Sequence, residues 1–279
     1  MAGPRDVISR GIVVAAAGAA LTACGSDARP EPPPRDPAAT SPATTSPERT
    51  VPATTGAPTT GTKLVLRWRT TGGIAGLGGP GEIPEFSLYE DGRAIVRPQG
   101  ESSPSALREY RLTPDALRRL LAEARAAGLE RGRTLGPQDV ADAMVLEYTM
   151  GSARTRIHQP ELQKIPAVRF QKRLFPDGWA PSDQAAPARA YPVERIAVLS
   201  GEMASPGGRP KTWPLSPLGE GEQAVGGLCK VFTGRDAKVA AGLARERPDG
   251  GWRSDGKVYS ARFRPLLPDE RTCQDVAKS

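Results

Sequence analysis

Hydrophobic and polar residues alternate in several stretches of this chain, as they do in β-strands with one buried face. In residues 64–70, Leu, Leu and Trp take every second position. The alternation returns over 143–149 and over 153–158, on either side of a turn at Gly151-Ser152. The strand after that turn is expected to carry its basic residues on one face, in the order Arg154, Arg156, His158.

The stretch 86–96 predicts a β-hairpin. Asp91-Gly92 suits a two-residue type I′ turn, in which both central residues need positive φ. That turn would place Leu88 opposite Ile95 across the ladder.

At Thr113 the hydrophobic period changes from that of a strand to that of a helix. Thr113 can cap a helix that begins at Pro114, and Gly128 can end it. One stripe of this helix is apolar and is expected to pack on the sheet: Leu117, Leu120, Leu121 and Ala124.

Together these elements predict an α+β fold. Residues 62–160 would form antiparallel β-hairpins with one amphipathic helix packed on the sheet. A Pro-punctuated stretch with several aromatic residues, 161–190, is expected to be an ordered linking loop. Residues 191–279 would form a smaller β-α-β lobe, with strands over 193–199, 229–233 and 257–264 and a helix over 236–245 between the last two. The pattern is compatible with residues 62–279 forming either one domain or two lobes.

Composition separates the first part of the chain from this folded region. From Gly25 to Gly61, Val51 is the only branched aliphatic residue, among many Pro and Thr. Such a segment buries too little apolar surface to offset the entropy of ordering it. Residues 24–61 are therefore predicted to be a disordered tether, with a reach on the order of 110 Å at ~3.1 Å per residue if extended.

The first 23 residues have the composition of an export signal. Arg5 and Arg10 precede or border an apolar run over 11–20, which is too short to span a bilayer that needs about 20 apolar residues. The tetrad Leu21-Thr22-Ala23-Cys24 follows at once and resembles the lipobox of bacterial lipoproteins. This resemblance implies cleavage between Ala23 and Cys24, a diacylglyceryl group on the Cys24 thiol and often a further acyl chain such as palmitate. It also implies attachment to the extracytoplasmic face of the cell membrane.

Two cysteines remain in the exported part of the chain, Cys229 and Cys273. An oxidising compartment favours a disulfide bond between them, which would close the β-α-β lobe. The alternative is two buried thiols, which behave as small hydrophobic side chains.

The chain carries a formal charge of +7, and most of its basic residues are arginines. This charge permits attraction to an anionic cell-wall polymer or membrane surface. Weak candidates for anion binding are the alternating pairs Arg154 with Arg156 and Arg262 with Arg264. The simpler alternative is that these residues form the solvated face of a sheet. Nucleic acid is not an expected partner, since no recognition motif is present.

No catalytic motif is present. The sequence lacks a G-x-S-x-G elbow, and its single histidine excludes H-E-x-x-H. The spacing G-x-G-x-x-G occurs over 76–81, but Pro80 and Pro84 follow it in place of a helix, so no dinucleotide cofactor is expected. The nearest approach to a metal-ligand group is Asp139, Asp142, His158 and Glu161, which we interpret as solvated surface residues. No cofactor and no metal are predicted.

The Asp91-Gly92 turn, the helix start Leu112-Thr113-Pro114 and the ending Arg264 to Cys273 together resemble secreted actinobacterial lipoproteins of uncharacterised activity. The sequence thus favours a membrane-anchored extracytoplasmic protein, with a binding or accessory role in the cell envelope and an envelope protein or wall polymer as partner. The alternative is a cell-envelope hydrolase whose catalytic residues are dispersed along the chain.

Overall fold

The structure is a computed structural model that describes residues 63–74, 76–99, 106–246 and 250–279. The predicted signal, tether and lipidation site at Ala23 and Cys24 lie outside these residues. All of the described residues belong to one compact unit. They confirm the α+β class in its coarse form, with sheet predominating and four helices in the described ranges.

Eight strands of the described chain form the first sheet, in the order β5-β7-β6-β1-β2-β3-β4-β8. Neighbouring strands are antiparallel except β5 and β7, which run parallel. The strands are β1 (Leu64–Gly72), β2 (Phe86–Tyr89), β3 (Arg93–Val96), β4 (Arg108–Leu112), β5 (Arg133–Leu135), β6 (Met144–Met150), β7 (Ala153–His158) and β8 (Gln184–Ala190).

One face of this sheet forms the larger core. Helix α1 (Pro114–Ala126) begins where Thr113 accepts a hydrogen bond from the backbone N–H of Ala116 at 3.3 Å. Leu120 and Ala124 of α1 are buried in the same cluster as the inward residues of the sheet. The short helix α2 (Pro166–Phe170) and Trp179 close the cluster, with the Trp179 ring edge-on to Phe86.

The hairpin of β2 and β3 differs from the predicted one by a single residue of register. Leu88 pairs with Ala94, and Ser87 pairs with Ile95. The connection has three residues, with Gly92 at φ 82° and its N–H donating to Tyr89 O at 3.0 Å, whereas Asp91 does not have positive φ. This is the geometry of a type I turn followed by a left-handed residue, not of a type I′ turn. A slip of one residue moves a side chain to the other face, so Ile95 lies on the face opposite Leu88.

The stretch 161–190 is more than a linking loop, because its last seven residues form β8 and pair with β4. No hydrophobic alternation marks this strand in the sequence. It lies at the edge of the sheet and contains Pro187 where the register with β4 shifts. Proline is tolerated at edges and bulges because no ladder hydrogen bond is lost there.

The second sheet of the described chain has six strands in the order β10-β13-β14-β9-β12-β11, where the sequence pattern indicated three. Strands β12 and β14 lie on either side of β9 and are antiparallel to it, and α3 packs on the face made by Ile196, Val198 and Phe232. The elements are β9 (Arg195–Glu202), β10 (Lys211–Thr212), β11 (Glu222–Ala224), β12 (Gly227–Thr233), α3 (Gly234–Leu243), β13 (Trp252–Ser254), β14 (Lys257–Pro265) and α4 (Cys273–Lys278).

Residues 266–279, which we call the closing segment, contact both sheets. Leu266 is buried against the second sheet, whereas Leu267 is buried against Tyr89 and Ile95 of the first. Asp269 accepts hydrogen bonds from Arg67 of β1 at 2.9 and 3.1 Å. The Sγ atoms of Cys229 and Cys273 lie at bonding distance, with 6.0 Å between the Cα atoms, so α4 is held against β12.

A buried ion pair attaches the closing segment to β14. Arg264 and Glu270 are each 2% exposed and are joined by two hydrogen bonds, one of 2.8 Å between Arg264 Nη2 and Glu270 Oε1. Glu270 also accepts from the backbone N–H of Leu267 at 2.7 Å, and Arg264 donates to Pro265 O at 2.9 Å. The charges are therefore compensated only while both partners are present.

We expect Glu270→Gln to lower the free energy of unfolding by about 3–5 kcal/mol, because it leaves the Arg264 guanidinium buried without its counter-ion. Urea unfolding measures this loss. Glu222→Gln, at an exposed strand position, is the matched control and should change stability by less than about 0.5 kcal/mol. Replacing both partners, as Arg264→Met with Glu270→Leu, should recover most of the loss. Equal losses of stability in Glu270→Gln and in Glu222→Gln would contradict the ion-pair explanation.

Candidate functional site

Two rows of polar side chains cross β1, β6 and β7 on the face opposite the core, and we call them the arginine rows. Strand alternation buries Leu66 and Trp68 in the core and therefore directs Arg67 and Arg69 to the other face. The strand register then aligns three residues in each row. The first row is Arg67, Thr149, Arg154, and the second is Arg69, Glu147, Arg156.

The arginine rows line a cavity of about 80 Å³. Lys278 and Ser279, at the end of the closing segment, lie over the same cavity. Five cationic side chains and one carboxylate, Glu147, thus share this small volume. Such an arrangement can bind an anion, because guanidinium and ammonium groups are strong donors to charged oxygen atoms.

Two of the cations are neutralised within the protein. Arg67 is 8% exposed and is bound to Asp269, and it also donates to Ser87 Oγ at 2.9 Å. Arg156 is paired with Glu147 at 2.7 Å. These ion pairs hold both side chains in place, and neither arginine then adds net charge to the cavity.

Arg69 has a different environment. It donates to the backbone carbonyl oxygens of Gly78 and Gly79 and to a main-chain oxygen of Ser279, which at the last residue of the chain belongs to a carboxylate, and its Nε is buried without a hydrogen-bond partner. Burial lowers the pKa of Arg69 from its ordinary value, although nearby Glu147 and Glu85 oppose that change. Arg69 forms no ion pair with an Asp or Glu side chain in the described ranges.

Arg154 and Lys278 are the remaining two cations that line the cavity. Within the part of the chain that the structure describes, neither forms a side-chain hydrogen bond or an ion pair. Both side chains are exposed at the cavity. The cavity therefore has three cationic groups, Arg69, Arg154 and Lys278, without a carboxylate partner among the described side chains.

The other predicted basic pair lies elsewhere and has internal partners. Arg262 of β14 is bound to Glu82, and Arg264 is bound to Glu270. Arg154 and Arg156 do lie together, as the strand pattern predicts, but Arg262 and Arg264 do not join them at the cavity.

Sequence reasoning did not include Arg67, Arg69 and Lys278 among the candidate site residues. The alternation over 64–70 did place the two arginines on the polar face of their strand. The pairing of β1 with β6 was needed to bring them beside Arg154, and no local signal reports a pairing between strands so far apart in sequence.

The other candidate groups do not assemble a metal site. Among the described residues no three His, Cys, Asp or Glu side chains come close enough to hold a metal ion. This includes Asp139, Asp142, His158 and Glu161. No helix in the described ranges is long and apolar enough to cross a membrane.

Comparisons of the chain with protein-family models, with curated proteins and with solved structures gave no match.

A buried hydroxyl lies beneath the first arginine row. Tyr89 donates to Asp269 Oδ1 at 2.7 Å, next to the bonds that Asp269 accepts from Arg67. Burial, with the charge of Asp269 adding to it, raises the pKa of Tyr89 far above its ordinary value. Burial also raises the pKa of Tyr148 and of Tyr191.

These tyrosines predict an alkaline loss of stability. Above about pH 10 an unfolded chain ionises its tyrosines, whereas the folded chain keeps these protons, so folding becomes weaker as pH rises. Each such group contributes up to about 1.4 kcal/mol per pH unit. Tyr89→Phe should make this decline less steep, as measured by urea unfolding on both sides of that pH. Tyr110→Phe, which removes a hydroxyl away from Asp269, is the control, and equal slopes for the two variants would contradict the assignment.

Proposed function

We propose that this chain is a lipid-anchored protein of the extracytoplasmic face of the cell membrane, with a binding or accessory role in the cell envelope. The observation that carries the proposal is the tetrad Leu21-Thr22-Ala23-Cys24 directly after a short apolar run. The Pro- and Thr-rich residues 24–61 would let the folded body stand away from the bilayer.

The binding role is supported by the charge of the cavity. Three of its cations lack a carboxylate partner among the described side chains, and the envelope of many bacteria presents anionic polymers and headgroups. In this proposal the partner is an anionic envelope component, and the arginine rows are the surface that meets it.

The geometry of Cys229 and Cys273 supports an oxidising compartment. Their Sγ atoms lie at bonding distance and both residues are 1% exposed. We further propose that one helix packs on a sheet of hairpins, and that a disulfide between these two cysteines closes the smaller β-α-β lobe. No observation on the described residues favours the alternative of an envelope hydrolase.

Replacing Cys24 by Ala should abolish lipid attachment, because the thiol that accepts the diacylglyceryl group is gone. We expect the wild-type chain to partition into the detergent phase of a detergent–water separation and the variant to lose most of this partition. Metabolic labelling with a fatty acid should mark the wild type and not the Cys24→Ala variant.

Thr22→Ala is the matched control, because it keeps a small residue two positions before Cys24. It should be labelled and should partition like the wild type. Detergent partition that is unchanged in Cys24→Ala would contradict the anchor.

A second test addresses the compartment. The mass of the peptide pair containing Cys229 and Cys273, taken without reduction from the native envelope, should be two hydrogens lower than the sum of the free-thiol peptides. Alkylation before reduction should leave both residues unmodified. Two alkylated thiols in protein from the native envelope would contradict an oxidising location.

A further inference from the structure

We propose that the cavity between the arginine rows and the closing segment binds a phosphoryl group. This inference rests on the proposed function for the source of the ligand, an anionic envelope component.

The direction of the cations favours a tetrahedral anion over a planar one. Arg69 comes from β1, Arg154 from β7 and Lys278 from the end of α4, so three separate elements contribute donors to one volume. A carboxylate is satisfied by the fork of a single arginine. A phosphoryl group has oxygen atoms in several directions and uses donors that surround it.

The size of the cavity restricts what it can enclose. About 80 Å³ holds roughly five waters at ~15 Å³ each, whereas pockets for whole small molecules span about 300–1,000 Å³. One anionic group fits, and the remainder of the molecule that carries it would lie outside. The cavity thus suits a phosphate ester better than an enclosed metabolite.

The electrostatic state of Arg69 gives a second reason for an anion here. This guanidinium is partly buried, and its Nε has no hydrogen-bond partner. A partly buried guanidinium with an unsatisfied donor is unfavourable, and a bound anion would relieve it. Glu147 does not cancel this charge, because it is paired with Arg156.

Thr149 provides the neutral donor of the site. It lies between Arg67 and Arg154 in the first row and lines the cavity. A hydroxyl can donate to an anion without adding charge. Arg154 is the variant of choice, because its side chain is exposed and has no partner among the described side chains, so its replacement should leave the fold intact.

The test is calorimetric titration of the purified full-length chain with inorganic phosphate, and with acetate at equal ionic strength. We expect phosphate to bind and acetate to bind at least about tenfold more weakly. Arg154→Ala should weaken phosphate binding at least about tenfold, and Arg154→Lys should restore part of it. Arg125→Ala, which removes an equally exposed charge from α1 on the core side of the sheet, should leave phosphate binding unchanged.

Two further probes distinguish the sources of the phosphoryl group. A soluble glycerol-phosphate polymer presents phosphodiesters without a membrane, and phosphatidylglycerol vesicles present them on a lipid surface. Binding of either probe that is lost in Arg154→Ala and kept in Arg125→Ala supports the proposal and identifies the carrier.

The proposal is overturned if phosphate and acetate bind equally, if no phosphate-bearing probe binds, or if Arg154→Ala and Arg125→Ala weaken binding to the same extent. Thermal unfolding of both variants establishes that they are folded. Failure here is distinguishable from failure of the anchor, because detergent partition of the Cys24→Ala variant does not depend on the cavity.

Discussion

Two adjacent carboxylates hold the two sheets of this protein together. Asp269 is bound by Arg67 and Tyr89 of the first sheet, whereas Glu270 is bound by Arg264 of the second. Both acceptors lie on one short stretch of backbone, so movement of one sheet relative to the other would break a charged hydrogen bond. A charge buried between two sheets destabilises the fold unless it is paired with an opposite charge. These ion pairs therefore favour one particular arrangement of the two sheets.

The candidate site is a consequence of that junction. The closing segment continues from Glu270 into α4, and the end of α4 lies over the arginine rows. The sheet alone would present arginines on an open face, where water screens each charge. With Lys278 and Ser279 beside that face, the cations line a confined volume.

Local features of the sequence were sufficient for some elements and not for others. Helix α1 has its own cap at Thr113, proline at the first position and an apolar stripe, and all three signals are short-range. The β2–β3 hairpin was placed correctly along the chain but in the wrong register, because both of its faces are covered. Leu88 is buried in the main core and Ile95 is buried on the other side, so hydrophobicity does not specify which residues face each other.

The candidate site also depends on contacts that local sequence patterns do not specify. Alternation indicated which side of β7 carries Arg154 and Arg156, but their convergence with Arg69 depends on the order of strands in the sheet. The contribution of Lys278 depends on a chain end that returns across the molecule. An edge strand such as β8, with Pro187 and few apolar residues, leaves almost no pattern at all.

The close approach of the Cys229 and Cys273 sulfur atoms has a consequence for the cavity. It fixes the first residue of α4, and the last residues of that short helix cover the arginine rows. Reduction of the proposed disulfide would release the helix from β12 at one end, so the segment over the cations would be held only by the contacts of its other residues. A disulfide here would therefore couple the redox state of the surrounding medium to the shape of the cavity.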